Sequence, residues 1–289
     1  MKIKHLLCFI ALCLFFTPGK AQQLSVMTLR NGATVYIWED KSKPDVFGMI
    51  AFKVGSVDDP EQYTGLAHYL EHVMFKGTQT IDALDWEKEK PIYEKIIAKY
   101  DERAALSDPA AREAIDKEIN DLTREAAQYA AGNEFSLLVD HMGGQGLNAS
   151  TGYDQTEYHN SFPPSQLEKW LEIYSERLID PVFRGFQTEL EAVYEEYNMY
   201  NDDRGSRMRE FIYEQAFGDH PYARPIIGLP EHLKNPQLSK LIDFYNTWYG
   251  PQNMSIILVG NIDAKEAIPM IRDKFERVPR RAEIHREKK

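Results

Sequence analysis

Cysteine and positive charge are both scarce in this chain of 289 residues. Its only two cysteines, Cys8 and Cys13, lie near the start, so the remainder has no disulfide, thiol nucleophile or cysteine-based metal site. The formal net charge of −11 argues against nucleic acid as a partner, because phosphates require a basic surface. No stretch after the first residues is apolar over the roughly 17–25 positions of a membrane span, so we expect none.

One short apolar run stands at the beginning. Eleven apolar residues, Leu6 to Phe16, follow Lys2 and Lys4 and precede a small residue, Ala21. This layout is typical of a secretory signal peptide, and we predict that residues 1–21 are one. A buried or interfacial helix is the alternative. The mature protein is then expected to be exported, to the periplasm or as a secreted protein.

The patterns along residues 22–280 predict one domain of α+β class. Asn31 and Gly32 join two alternating segments as a hairpin turn would. Further strands are predicted in "DVFGMIAFKVGS", "GLNASTGYDQTEYHNSFP" and "NMSIILVGNI", and amphipathic helices lie between and after them. We therefore expect a two-layer sandwich, in which a mostly antiparallel sheet carries helices on one face. Residues 281–289 are predicted to be a charged tail or the start of a linker.

Residues 84–133 differ from their surroundings, since they are rich in Glu, Lys, Ala and Arg. Apolar residues recur at helical spacing on either side of Asp108 and Pro109, which are typical of a helix start. The spacing predicts a helical hairpin in which the apolar stripe of one helix packs on the apolar stripe of the other. The stripes are Tyr93, Ile96, Tyr100 and Ala104 on one side and Ile115, Ile119, Leu122, Ala126 and Tyr129 on the other.

The segment "HYLEH" lies in a predicted helix that begins after Thr64 and Gly65, carries His68 to Phe75 and stops at Gly77. His68 and His72 are four residues apart and so share a helix face, from which two imidazoles can reach one zinc ion. Glu71 borders the same space and could take a proton from the attacking water as a general base. The alternative is an ordinary helix with two structural histidines.

A catalytic zinc site needs a third protein ligand, and the segment "ELEAVYEE" offers candidates. Glu189 and Glu196 are seven residues apart, two helical turns, and lie on one face. One carboxylate could bind the metal while the other orients a histidine. The alternative is a solvated acidic helix.

The chain resembles the pitrilysin-type metallopeptidases, also called inverzincins, which include insulysin and mitochondrial processing peptidase. Their inverted zinc motif is His-x-x-Glu-His. Here it lies within "GSVDDPEQYTGLAHYLEHVMFKGT", and "NAST", "VYEEYNM", "HPY" and "YGPQNMSIILVGNI" follow in the family's order. The resemblance runs from about Leu24 to Val278.

The resemblance implies a role for each matching residue. It implies one zinc ion per chain with three ligands, a general base and an acid that orients a ligand. These are His68, His72 and Glu196 as ligands, Glu71 as the base and Glu189 as the orienting acid. Glu195 is the rival third ligand, but the alignment of "AVYEE" favours Glu196.

The family also implies a substrate and a partner. Asn148 and Ala149 match an edge strand on which family members lay an extended peptide. The implied function is a zinc-dependent endopeptidase for unfolded peptides, in which the metal and Glu71 activate water. Family members pair this domain with a second one that supplies an Arg and a Tyr, so a second domain or subunit is expected. The alternatives are a non-catalytic assembly or peptide-binding subunit and a hydrolase of non-peptide substrates.

Residues 84–133 depart from the family pattern. The distance from His72 to Glu196 exceeds the family's usual spacing by about the length of this segment, so it is interpreted as an insertion. The remaining histidines have no ligand spacing and are interpreted as structural or surface residues. They are His141, His159, His220, His232 and His285.

Overall fold

The computed structural model describes residues 23–284. The predicted signal peptide and the end of the predicted tail lie outside them. The strands are β1 (Gln23–Thr28), β2 (Thr34–Glu39), β3 (Val46–Phe52), β4 (Gln145–Thr151), β5 (Thr156–Phe162) and β6 (Met254–Gly260). The helices are α1 (Leu66–Val73), α2 (Trp86–Ala105), α3 (Pro109–Ala126), α4 (Glu134–His141), α5 (Leu167–Glu176), α6 (Phe186–Asp202), α7 (Arg204–Phe217), α8 (Pro230–Leu233), α9 (Leu238–Trp248) and α10 (Ala264–Phe275). Within 23–284, none of the helices has the length and apolarity that crossing a bilayer requires.

The strands form one six-stranded sheet in the order β1-β2-β6-β3-β5-β4. β2 and β6 are parallel, and the other neighbouring pairs are antiparallel. Along β2, Val35 and Ile37 are buried beneath the helices whereas Tyr36 and Trp38 are partly exposed. The α+β prediction, with helices on one face of a mostly antiparallel sheet, is therefore confirmed.

The helical layer packs closely on the middle of the sheet. Trp170 of α5 is fully buried, and a Cβ on Gly48 of β3 would lie 2.5 Å from its ring. The indole Nε1 donates a 2.8 Å hydrogen bond to Oδ1 of Asn160 on β5. Only glycine leaves room for the indole at this position, so residue 48 decides how near the helix lies to the sheet.

The segment predicted as a hairpin contains the long helices α2 and α3, which pack on each other. Asp108 caps α3 by accepting a hydrogen bond from the backbone N–H of Ala111, at 2.9 Å. A buried ion pair anchors α2, because Arg184 contacts both oxygens of Glu89 at 2.7 and 2.8 Å. The hairpin is thus tied to the chain that enters α6.

Two elements differ from the sequence predictions. Helix α1 was expected to reach Gly77 but ends at Val73, where the guanidinium of Arg177 donates to the carbonyl of Met74 at 3.0 Å. Helix α4 was not predicted. It has eight residues and begins after Asn133 in left-handed conformation, so it is too short for a clear periodicity.

Candidate metal centre

The start of α1 is held by a buried carboxylate. Asp59 accepts hydrogen bonds from the backbone N–H groups of Gly65 at 2.7 Å and Ala67 at 2.9 Å. Gly65 has φ +90°, and a Cβ there would lie 2.5 Å from the carbonyl oxygen of Ile227. Burial raises the pKa of Asp59 to about 7, although both backbone bonds oppose the rise. Together these contacts set the direction of the helix that carries "HYLEH".

Three predicted ligands converge at one point. Nε2 of His68 and Nε2 of His72 each lie 3.6 Å from Oε2 of Glu196. One donor atom from each residue lies within 4.8 Å of the others, and no further such group of three occurs within residues 23–284. Donors about 2.0 Å from a tetrahedral zinc ion are about 3.3 Å apart, so Oε2 of Glu196 is already near that distance from each imidazole, whereas the spread of the whole set, up to 4.8 Å, would have to contract. The residues present fit the metal that the resemblance implies.

The charges in the cluster also favour a cation. Burial, and then the neighbouring His72, lower the pKa of His68 to about 4, so its imidazole is neutral, the form that binds metal. The hydrogen bond from His72 lowers the pKa of Glu196 to about 2. Burial opposes a charge on His72, but Glu189 and Glu196 outweigh it and raise its pKa to about 9. Glu189 and Glu196 therefore favour a positive charge beside them, which a bound metal ion would also supply.

Glu189 lies on the other side of the His72 ring from Glu196. Its Oε2 is 3.5 Å from Nδ1 of His72, and its Oε1 is 2.5 Å from Nζ of Lys76. Burial raises the pKa of this carboxyl, but His72 and Lys76 outweigh burial and lower it. An ionised carboxylate on Nδ1 leaves Nε2 of His72 facing Glu196, the arrangement expected of an orienting acid.

Glu71 is 8% exposed and stands next to the cluster without joining it. The hydroxyl of Thr151, at the end of β4, donates to its Oε2 at 2.6 Å. Burial raises the pKa of Glu71, and the bond from Thr151 opposes the rise. A buried carboxylate with one oxygen held and a raised pKa has the properties of a general base.

The cluster opens into a cavity of about 840 Å³. Strand β4 is the last strand of the sheet, so no strand among residues 23–284 pairs with its outer edge, and Asn148 and Ala149 line the cavity. Glu195, the rival ligand, is exposed and lies outside the metal-binding group. Two other histidines make structural contacts, since Nδ1 of His232 lies 2.8 Å from the hydroxyl of Thr64 and the ring of His159 packs at a tilt against Phe47, with centroids 5.5 Å apart.

Several residues of the site were not predicted from the sequence. They are Lys76, Thr151, Tyr200, Ser206, Arg209 and Tyr213, all of which line the cavity. For Tyr200 a signal was present, because it lies four residues after Glu196 on α6 and so shares its face. No local signal pointed to Thr151, which reaches Glu71 across 80 positions of sequence.

Sequence comparison places these residues in a family. The pattern of insulinase (peptidase family M16) matches residues 34–90 and 122–229, and that of the peptidase M16 inactive domain matches residues 237–289. The first pattern alone covers more than half of the chain, which therefore belongs to the M16 insulinase family. The resemblance to the pitrilysin-type peptidases is confirmed.

Similar proteins are named as zinc proteases. The probable zinc protease PqqL of Escherichia coli (strain K12) is 25% identical over 270 residues, 89% of this chain and 23% of that protein. The crystal structure of the first half of the periplasmic protease PqqL from Escherichia coli aligns with a TM-score of 0.68 and 25% identity, over 91% of this chain and 49% of that one. Pitrilysin shares the fold, with a TM-score of 0.66 and 23% identity over 91% of this chain and 24% of its own.

The relatives are longer than this chain, which spans less than half of the length of the curated proteins that it matches. The family pattern is interrupted between residues 90 and 122, inside the predicted insertion at 84–133. The chain therefore belongs to a family whose listed relatives are named zinc proteases, and it has a group of side chains suited to a metal.

Proposed function

We propose that this chain is a zinc-dependent endopeptidase that hydrolyses unfolded peptides. One observation supports this proposal above the others: the metal-binding cluster, the buried Glu71 and the unpaired edge of β4 all face the same cavity. A peptide on that edge would pass beside Glu71 and the three residues that would hold the metal.

His68, His72 and Glu196 would hold the metal. When bound there, zinc supplies Lewis acidity to the scissile carbonyl and to the attacking water. Glu71 accepts the proton of the water and passes it to the leaving nitrogen, and Thr151 holds Oε2 so that Oε1 is free for the proton. Glu189 keeps Nε2 of His72 directed at the site.

The peptide would be bound mainly through its backbone. A chain in extended conformation can pair with the free edge of β4 along Asn148 and Ala149 as an additional strand. Backbone pairing is independent of side chains, so a broad range of sequences is accepted. A folded protein offers few unpaired extended segments, which is why unfolded peptides are the proposed substrates.

We also propose that a second M16-type domain or subunit completes the enzyme. The length of the relatives supports this, since the chain covers 49% of a structure that is itself the first half of PqqL. An exported location is proposed from the signal-like start and from the periplasmic relative. The hairpin at 84–133 is proposed to be an insertion, consistent with the gap in the family match.

Metal content and peptide cleavage, measured together, test the proposal. Residues 22–289 are purified alone and then mixed with a second-domain chain, and cleavage of a quenched unstructured peptide is followed in both samples. We expect about one zinc ion per chain, with cleavage in the mixture or in both samples. Neither zinc nor cleavage in either sample would overturn the proposal, and the non-catalytic subunit would replace it.

A single variant separates catalysis from metal binding. Glu71→Gln keeps the size of the side chain but removes the base, so we expect zinc content to be retained and kcat to fall by about 10²–10⁴-fold. Glu125→Gln, an exposed change in the hairpin, is the matched control. Full activity of Glu71→Gln would exclude that residue as the base.

A further inference from the structure

The two oxygens of Glu196 have different partners. Oε2 lies 3.6 Å from Nε2 of both His68 and His72, so it is the oxygen that would contact a metal held by the two imidazoles. Oε1 accepts a 2.9 Å hydrogen bond from the hydroxyl of Tyr200. One oxygen is thus available to the metal while the other is held by a phenol.

Helix α6 supplies this arrangement from one face. Glu196 follows Glu189 by seven residues, and Tyr200 follows Glu196 by four, so the three side chains lie along the same stripe. Tyr200 is 42% exposed and lines the cavity, and it is therefore not held there by a need to bury its ring. Among residues 23–284, the hydrogen bond of its hydroxyl is the one to Glu196.

The number of carboxylate oxygens that bind decides whether a zinc site is open. A catalytic zinc ion has three protein donors and keeps its fourth position for water or substrate. A glutamate that binds through both oxygens supplies an extra donor and crowds that position. A hydrogen bond on Oε1 opposes this, because the carboxylate would have to give up the bond to turn its second oxygen to the metal.

We propose that Tyr200 is a positioning residue that keeps Glu196 a ligand through one oxygen only. The inference rests on the proposed function, because it presupposes a metal held by His68, His72 and Glu196. Tyr200 acts through Glu196 and has no role in the proton transfer assigned to Glu71. Its phenol also fixes the side-chain angle at which Oε2 meets the imidazoles.

Cobalt(II) in place of zinc reports the number of donor atoms around the metal. Four-coordinate Co(II) absorbs visible light more strongly than five-coordinate Co(II). The chain at residues 22–289 is titrated with Co(II) as the unsubstituted protein and as Tyr200→Phe, which removes the hydroxyl and keeps the ring. Tyr197→Phe is the matched control, since Tyr197 lies on α6 but does not line the cavity. Circular dichroism and Tm of each variant establish that all three are folded.

We expect Tyr200→Phe to show weaker visible absorption per bound Co(II) than the other two proteins. We also expect its zinc Kd to rise by about 10-fold or more, the effect usual for groups that support a ligand. A Tyr200→Phe spectrum equal to that of the unsubstituted protein would overturn the inference and leave the proposed function intact. Failure of the unsubstituted chain to bind Co(II) or zinc would overturn both.

Discussion

The hydroxyl of Thr151 donates a hydrogen bond to Oε2 of Glu71 at 2.6 Å, and so connects the end of the edge strand to the helix that carries the proposed metal ligands His68 and His72. The strand proposed to bind the peptide and the residue proposed to act as base are therefore held at a fixed distance from each other. A peptide on β4 and the carboxylate keep a constant distance, which is what proton transfer needs.

Removal of the hydrogen bond between Thr151 and Glu71 should shift the pH dependence of kcat/KM. Glu71 must be ionised to accept a proton, so activity falls as pH drops through its pKa. Burial raises that pKa and the Thr151 bond lowers it. Thr151→Val should therefore move the acidic limb of kcat/KM to higher pH. Thr123→Val is the control: it removes a hydroxyl that donates to the carbonyl of Ile119 in the hairpin. It should leave the acidic limb of kcat/KM at the same pH.

The choice between two adjacent glutamates can be tested by metal affinity. Glu196→Gln removes the negative charge of a proposed ligand, so we expect zinc Kd to rise by more than about 100-fold, beyond the range of groups that only contact ligands. Glu195→Gln changes an exposed neighbour and should leave the Kd unchanged. Competition with a fluorescent chelator measures both. Equal Kd values for the two variants would remove Glu196 from the ligand set.

Zinc binding should release a proton. Burial disfavours a charge on His72, but Glu189 and Glu196 outweigh it and raise its pKa to about 9, so the ring is protonated at pH 7. Metal binding requires the neutral ring. Since the pKa of His68 is about 4, this residue is already neutral. Calorimetry in buffers of different ionisation enthalpy should show about one proton released per zinc at pH 7.

The release should decline as pH rises through 9, because His72 is then neutral before the metal arrives. An enthalpy of zinc binding that is the same in all buffers at pH 7 would contradict the prediction. The raised pKa of His72 also stabilises the metal-free fold. That stabilisation is fully present below about pH 6.5, the unfolded value, and is lost as pH rises through 9.

The ion pair between Glu89 and Arg184 should be the strongest electrostatic contact of the hairpin. Glu89 is 2% exposed and Arg184 9%, so Glu89→Gln leaves a buried guanidinium without its counterion. We expect the free energy of unfolding to fall by about 3–5 kcal/mol, measured by urea denaturation. Lys99→Met breaks pairs with Glu102 and Glu118 on the exposed surface, where solvent screens the charges, and should lower the free energy of unfolding far less than Glu89→Gln.

A double variant makes this test stricter. Glu89→Leu with Arg184→Leu removes both charges, so it should be less destabilising than Glu89→Gln alone. If Glu89→Gln costs no more than Lys99→Met, the buried pair does not anchor the hairpin. Zinc affinity measured on the same proteins shows how far the hairpin influences the metal centre.

The sheet and most helices were predictable because their signals are local. Asn31 and Gly32 mark a turn, and alternation along β2 separates buried Val35 and Ile37 from the outer face. The end of α1 was predicted wrongly, since it depends on Arg177, which reaches Met74 from more than a hundred residues away. Helix α4 was missed because eight residues give too little periodicity.

The sequence by itself determined that His68 and His72 share a face with Glu71 beside them, because a spacing of four residues on a helix is a local property. Only the tertiary structure decided which carboxylate meets them and which hydroxyls hold the acids. Glu196 arrives from α6, Thr151 from the sheet edge, and Tyr200 from one turn beyond Glu196. Those contacts depend on how α1, α6 and β4 pack together, and a distance between elements is set by the packed core and not by the residues of either element alone.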